Sequence, residues 1–327
     1  MKLNIRILMA AGTGQNYSDI TDIVEAFRLS TSIGNQAAKL EMNIIGDGAA
    51  FELGSRVQIF DGDNGIFEGW LFSVSMNNDI RFHAVCYDQT RYLRNVDTLV
   101  YKEKTLSDIF SDICSRYDLQ SGTVDRSTYT IPPEVYEGKS LWDVLQECVD
   151  QTLAYEKRLF IIRDVFGRLE LRDIVNLRTD FVIDDENVAL GYDYSVGIDK
   201  NSFNQVKLGF EDEAASERKW GIVQNSAYID QWGLLQKYEL LKQKLTVEEL
   251  DRKAQQMLDY YCRPTREVSL QCFGDFRISA GVGVNLELER VSAFKGMNRF
   301  YVTSCEHSVT CDKHVMNLRL AVDGFGG

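Results

Sequence analysis

Two segments far apart in the chain, Gly54-Ser55-Arg56-Val57-Gln58-Ile59 and Gly281-Val282-Gly283-Val284-Asn285-Leu286, share a pattern of glycine, two residues, valine, one residue and an aliphatic side chain. Each is followed by hairpin-like runs, ending at Tyr87-Asp88 in the first case and Val322-Asp323 in the second. A strand start that recurs with its hairpin predicts two related β units in one chain, which restricts the fold more than any single motif does. Around the first copy, Val57 and Ile59 alternate with Arg56, Gln58 and Phe60. The turn cluster Asp61-Gly62-Asp63-Asn64-Gly65 follows, and a second run passes from Ile66 through Trp70 to Val74, the punctuation of a hairpin. In the run from Arg81 to Tyr87, Phe82, Ala84 and Cys86 fall on one face and His83, Val85 and Tyr87 on the other, so both faces are expected to be partly covered.

The period changes at Thr105. Leu106, Ile109, Phe110, Ile113, Cys114 and Tyr117 recur at helical spacing behind Thr105, with Asp108 three residues on to serve the free N–H groups of the first turn. Ser140 and Asp143 repeat the device ahead of Leu141, Val144, Leu145, Cys148 and Val149, and Tyr129-Thr130-Ile131-Pro132-Pro133 between the helices reads as extended. Two apolar-rich runs, 158–163 and 168–172, flank Phe166-Gly167 as a further hairpin. Strands return from Asp180, with Asp184-Asp185-Glu186-Asn187 as an acidic turn and 204–210 as a strand. They are interrupted by one helix near 246–262, which opens on Thr246 and Glu249 and ends near Arg263-Pro264. The expected fold is α+β, mainly β. Residues 1–97 form a first β-barrel, 98–178 a small α/β module, and 179–327 a second β-barrel with a helix inserted.

Composition restricts function. The chain of 327 residues has 49 acidic against 36 basic side chains, a formal charge of −13, which opposes condensation on nucleic-acid phosphates or anionic lipid. Apolar stretches at the N-terminus are interrupted by Lys2, Asn4 and Arg6, unlike a signal peptide, and no later run reaches the roughly 18 apolar residues of a membrane span. The 7 cysteines, an odd number scattered through apolar segments such as those around Cys114 and Cys148, read as reduced core thiols. Synthesis in the cytoplasm is expected.

Reactive constellations are weak. If the last hairpin turns at Thr310 to Lys313, then Cys305, His307 and His314 share a face, and Cys311 could add a fourth zinc ligand. The spacing matches no common zinc pattern, strand alternation alone would align these residues, and no metal or cofactor is expected. Asp61 to Gly65 lacks the EF-hand offsets and is read as a tight turn. Gly12-Thr13-Gly14 lacks the third glycine of a dinucleotide site. Glu134, Glu137, Asp184, Asp185 and Glu186 supply carboxylates without a motif that singles out a catalytic pair. No Gly-x-Ser-x-Gly elbow occurs, and three histidines are poor material for a triad. Trp70, Trp142, Trp220 and Trp232 could stack on sugars or bases, but Trp142 adjoins an apolar helix stripe. No catalytic residue is expected.

Several short stretches, in order along the chain, are similar to the XkdQ/YqbQ-type family of phage-like tail proteins, relatives of late control protein D and of contractile-tail baseplate hubs. They are Asp19 to Val24 with Gln36 to Leu40, Val57 to Phe60 with Phe67-Glu68-Gly69, and Ala84 to Asp88 with Tyr92-Leu93. Next come Ser107 to Phe110, Ile131-Pro132 and Gly138 to Leu145, then Tyr228 to Gln236 with Trp232 in an aromatic position, and finally His307 with His314 to Leu318. Cys305 and Cys311 are not part of that pattern. The resemblance implies a homotrimeric ring of six similar barrels that joins a tail tube to a central spike, contacts other baseplate proteins, lines part of the channel and needs no catalysis. It places the chain in a virion or tail-like particle, with no specific nucleic-acid binding and no membrane insertion, and an acidic lumen would repel passing DNA. The competing expectations are a cell-wall polysaccharide-binding module centred on 98–178 and a tail-associated peptidoglycan hydrolase.

Overall fold

The computed structural model describes residues 4–10, 16–34, 36–46, 51–76, 81–184, 189–200, 202–212, 217–241, 245–287 and 299–322. Gly12-Thr13-Gly14 and most of the acidic turn after Asp184 lie outside the described residues. The chain is mainly β and divides into two compact units, one made of 1–193 with 268–327 and the other of 194–267.

Twelve strands of the larger sheet carry the architecture. The first six are β1 (Ile5–Ala10), β2 (Val24–Ser32), β3 (Lys39–Ile45), β4 (Arg56–Asp61), β5 (Asn64–Met76) and β6 (Arg81–Tyr87). The second six are β7 (Arg178–Asp184), β8 (Ala189–Gly197), β9 (Thr265–Phe273), β10 (Gly283–Glu287), β11 (Arg299–Thr310) and β12 (His314–Val322). The first set is ordered β2-β3-β6-β5-β4-β1, and the second is ordered β8-β9-β12-β11-β10-β7. Adding six to each label converts one order into the other, so the chain is a duplication. It departs at one place, where β1 runs antiparallel to β4 but β7 runs parallel to β10.

Local geometry repeats with the topology. Gly54 and Gly281 both hold positive φ, 86° and 90°, where a side chain would be strained. Gly54 N donates to Leu71 O (2.8 Å) and Leu71 N to Ser55 O (2.9 Å); Gly281 N donates to Val302 O (2.8 Å) and Val302 N to Val282 O (2.9 Å). A register shift follows in each long strand, between Leu71 and Ser73 and between Val302 and Ser304. Such bulges bend and twist a strand, so the two copies bend at the same point. Copies meet where β11, at Ser304 to Thr310, pairs antiparallel with β2.

Alternation decides which face of this sheet is buried. Phe27, Leu29, Leu40, Met42, Ile44, Ala84 and Cys86 form the core side of β2, β3 and β6. The opposite face of β6, with His83 exposed and Val85 and Tyr87 half-buried, is open, so the expectation that both faces are covered holds only in part. With the sheet covered on one side, the strands need only one apolar face.

Residues between β6 and β7 form the helical module with its own core. Helix α1 (Leu106–Arg116) opens on a capping box in which Thr105 Oγ1 accepts from Asp108 N (3.3 Å) and Thr105 N donates to Asp108 Oδ2 (3.0 Å). Helix α2 (Leu141–Glu156) is capped by Ser140, whose Oγ accepts from Asp143 N (3.1 Å). Their apolar stripes enclose Phe110, Tyr136, Leu145, Cys148, Phe160 and Leu171. The expected hairpin joins strands Phe160–Asp164 and Leu169–Asp173. Its turn places Phe166 and Gly167 at φ 47° and 76°, and the phenylalanine conformation is costly unless packing holds it. The Phe166 ring sits edge-on to Phe60, centroids 5.0 Å apart, and a Cβ at Gly65 would collide with it.

Nearby lies a buried acidic pair. Asp88 Oδ1 accepts from Thr90 N (3.1 Å) and from the Thr90 hydroxyl, while Gln89 Nε2 bridges to Gln120 O and Gly167 O, both at 3.1 Å. Burial, and behind it the charge of Asp164, holds the Asp88 carboxyl well above the ordinary carboxylate range; burial pushes Asp164 up to about 6. A carboxyl with a raised folded value contributes stability below its unfolded value and loses it as pH climbs through the folded one. Asp88→Asn keeps the Oδ1 acceptor without the charge. It is expected to raise stability by about 1–2 kcal/mol at pH 8 and by almost nothing at pH 4, measured by urea melts at both values.

The smaller unit is a three-stranded sheet in the order Glu217–Gln224, Gln205–Asp212, Gln236–Leu241, with helices α3 (Ser226–Trp232) and α4 (Val247–Tyr261). The Thr246–Glu249 capping box starts α4, and Leu250, Ala254 and Leu258 cover Val206, Leu208 and Phe210. Buried Asn204 ties down the turn after α3: its Nδ2 donates to Tyr228 O (3.2 Å) and Gly233 O (2.6 Å), and its Oδ1 accepts from Leu235 N (2.8 Å).

Candidate assembly surface

The open face of the large sheet is built from every second residue of adjacent strands. It presents Gln271 on β9, Asn317 and Arg319 on β12, Ser304 and Glu306 on β11, Arg28, Ser30 and Ser32 on β2, and Lys39, Glu41 and Asn43 on β3. Contacts across it are polar. Arg28 Nε lies 3.5 Å from Glu306 Oε1, Lys39 Nζ 3.0 Å from Glu41 Oε2, and Gln271 Nε2 donates to Asn317 Oδ1 (3.2 Å). Exposed pairs of this kind stabilise a fold by about 0–1 kcal/mol, so folding alone does not require this surface chemistry. Cations and carboxylates alternate, and the acidic excess of the chain is not concentrated here.

A cleft of about 990 Å³ opens on the same face. Arg91, Arg94 and Arg319 line it without an ion-pair partner among the described residues, and the Arg91 guanidinium lies 5.5 Å from the Phe72 ring centroid. Both elements of the duplication contribute to this face, which has hydrogen-bonding side chains over its full width.

Sheet edges are the second feature. Within β5, the segment from Phe72 to Met76 pairs only with β6 among the described residues, while its counterpart in β11 pairs on both sides, with β12 and with β2. At the other end of the sheet, β8 is the terminal strand. Unpaired edges are templates for further strands.

Three of the four residues considered as metal ligands come together on the last hairpin. Cys305 Sγ lies 3.2 Å from His307 Nε2, and His307 Nδ1 lies 3.0 Å from His314 Nε2. Cys305 and His314 thus meet opposite nitrogens of one imidazole, an arrangement that cannot converge on a single ion, and His307 Nε2 also lies 2.8 Å from Ile278 O, to which it donates. Cys311 is exposed in the turn beside Glu25 O, apart from the others. No group of three metal-ligating side chains is found among the described residues. Phe276 stacks on His314 with centroids 4.1 Å apart, and a Cβ at Gly274 would overlap the His314 ring, so the site is packed as a neutral aromatic cluster.

The remaining carboxylates nominated from sequence do not gather. Glu134 belongs to the ribbon that pairs 134–140 with 96–101, and Glu137 stands exposed on it. Asp184 ends β7. Trp142 is buried in the module, Trp70 lies against Tyr92, Trp232 against Tyr228, and Trp220 against Tyr238 on the exposed side of the smaller sheet. None of the helices among the described residues is long and apolar enough to cross a membrane.

A family model described as YQBQ-like matches residues 27–321. An uncharacterized protein, YqbQ of Bacillus subtilis (strain 168), is 26% identical over 146 residues, 44% of this chain and 44% of that protein. A tail protein from Neisseria meningitidis MC58 superposes with a TM-score of 0.72 at 12% identity, covering 98% of both chains. The 43 kDa tail protein of prophage MuSo2 from Shewanella oneidensis gives 0.70 at 11% identity, covering 97% of this chain and 98% of that one. The E. coli c3393 protein, a component of the type VI secretion system described as similar to T4 tail proteins gp27 and gp5, gives 0.57 at 9% identity, covering 93% of this chain and 75% of that one.

Proposed function

The chain belongs to the YQBQ-like family, and from that premise we propose that it is a structural baseplate hub of a phage tail or tail-like particle, forming a ring that joins the tail tube to the central spike. The observation that carries this reading is the duplication. A tube of six-fold symmetry can seat on three copies of a chain only if each copy offers two equivalent units, and β1–β6 and β7–β12 supply them. We read 1–97 and 179–327 as the two hub domains, with 98–178 as a separate module and 194–267 as an insertion within the second. Support for that division comes from the separate core of the module and from the repeated strand order on either side of it.

The hub acts without catalysis, by holding partners in register. Its alternating charges on the open face suit a channel lining that does not capture passing DNA. The solution mass, measured by light scattering for the chain alone and after mixing with tube and spike proteins from the same particle, tests the proposal. A trimer in either sample supports the hub, whereas a monomer that ignores both partners favours the polysaccharide-binding alternative.

A further inference from the structure

We propose that the cleft on the open face binds an extended acidic peptide segment, with Arg91 and Arg94 taking a carboxylate at one end and Arg319 a carboxylate at the other. This rests on the hub reading for the source of the segment, another protein of the particle, and adds a specific contact to it.

Charge on this face is matched except in the cleft. Arg28 and Lys39 have carboxylate partners in Glu306 and Glu41. Arg91, Arg94 and Arg319 line the cleft with no ion-pair partner among the described residues. In a chain of formal charge −13, three guanidinium groups left without carboxylates in one recess form a site for an anion from outside the chain.

Local structure orients these side chains. Arg91 and Arg94 belong to the 3-10 helix Gln89–Arg94, in which residues three apart lie on one side. The Arg91 guanidinium lies 5.5 Å from the Phe72 ring centroid and 5.9 Å from that of Tyr87, so cation–π attraction holds it over the rings before a ligand arrives. Arg319 is exposed on β12 opposite Ser304 of β11, which stands opposite Ser32 of β2.

Spacing and charge select the ligand. From β12 the sheet passes through β11, β2 and β3 to β6, after which the chain leads into Arg91. Four inter-strand steps put the two arginine groups roughly 15–20 Å apart along the sheet. The Arg91 guanidinium sits over Phe72 of β5, one strand beyond β6, so a single carboxylate or phosphate does not bridge the two ends. An extended peptide covers the distance in about five or six residues. Between the arginines, Ser30, Ser32, Gln271 and Asn317 offer neutral hydrogen-bonding groups, and Glu306 and Asp193 also line the cleft. A continuous polyanion would bring phosphates against these two carboxylates, whereas a peptide can carry its own carboxylates at the ends and amides between them. The volume of about 990 Å³ suits a short segment and not a folded domain.

The probe is the hexapeptide Glu-Ser-Gly-Ser-Gly-Glu, with a neutral dye at its N-terminus and an amide at its C-terminus, titrated with the full chain at low salt and followed by fluorescence anisotropy. Saturable binding is expected. Arg91→Gln and Arg319→Gln should each weaken it by about tenfold or more, the loss of a charge-assisted contact, and so should glutamine in place of both glutamates of the peptide. Lys313→Gln, which removes an exposed lysine outside the cleft, should leave it unchanged. Arg319 is exposed, and a wild-type melting curve for its variant shows that lost binding is not lost folding. No saturable binding, equal binding by the glutamine peptide or by the arginine variants, or tighter binding of tripolyphosphate or a single-stranded oligonucleotide through the same arginines would overturn the assignment. Assembly with tube and spike that persists in those cases leaves the hub reading intact and removes only the cleft, whereas peptide binding by a chain that never assembles does the reverse.

Discussion

Phe110→Ala is expected to destabilise the helical module by about 3–5 kcal/mol, because it removes a ring with no exposed surface from a core that cannot collapse around the loss. The effect should be local. Phe110 belongs to a cluster drawn from α1, α2 and the strands beside them, and this cluster is distinct from the one formed by β1–β6. A protein with separate cores can lose one cooperative unit before the other. Circular dichroism during heating should therefore show helical signal lost in an earlier transition, followed by melting of the sheet near the wild-type temperature. A single transition shifted as a whole would mean that module and sheet unfold together through the Phe166 and Gln89 contacts.

Acidification tests the aromatic cluster on the last hairpin. Burial is the main reason that the His307 value is lowered from 6.5 to about 4; the neighbouring His314 pushes the same way, while the Ile278 carbonyl and Asp275 oppose it. His314 is also lowered, chiefly by burial. A histidine depressed in the fold stays neutral while the unfolded chain takes up a proton, so stability is lost as pH falls from about 6.5 towards 4. The full difference for His307 is roughly 3 kcal/mol. Asp88 and Asp164, with raised values, change in the opposite direction over part of this range, so wild-type stability alone does not isolate the effect. His307→Gln keeps a donor for Ile278 O and cannot titrate. Between pH 7 and pH 4 the variant should lose roughly 3 kcal/mol less stability than wild type, read from urea melts at each pH. Equal losses in both proteins would show that His307 is protonated in the folded state.

Much of the fold is legible in the sequence where a local rule and the final packing agree. Thr105 with Asp108, Ser140 with Asp143 and Thr246 with Glu249 announce helix starts because capping is satisfied within four residues. Phe166-Gly167 announces a hairpin because the turn itself demands positive φ. The duplication shows only as the glycine–valine echo, since strand order, register shifts and the β2–β11 junction join residues whose separation carries no periodic signal. Helix α3 escaped the pattern because its seven residues include no buried side chain; its place is fixed by Asn204, far outside any local window. Strand alternation puts Cys305, His307 and His314 on one face, but spacing cannot say that the first and last approach opposite nitrogens of the middle ring. The polar face and the free edge become visible only when the two copies are compared.

If this chain forms the ring between tail tube and spike, electron cryomicroscopy of assembled particles should show density for the duplicated sheet as a closed ring on the particle axis, with tube on one side and spike on the other. Finding the chain at the periphery, with a different protein occupying the axial ring, would contradict it.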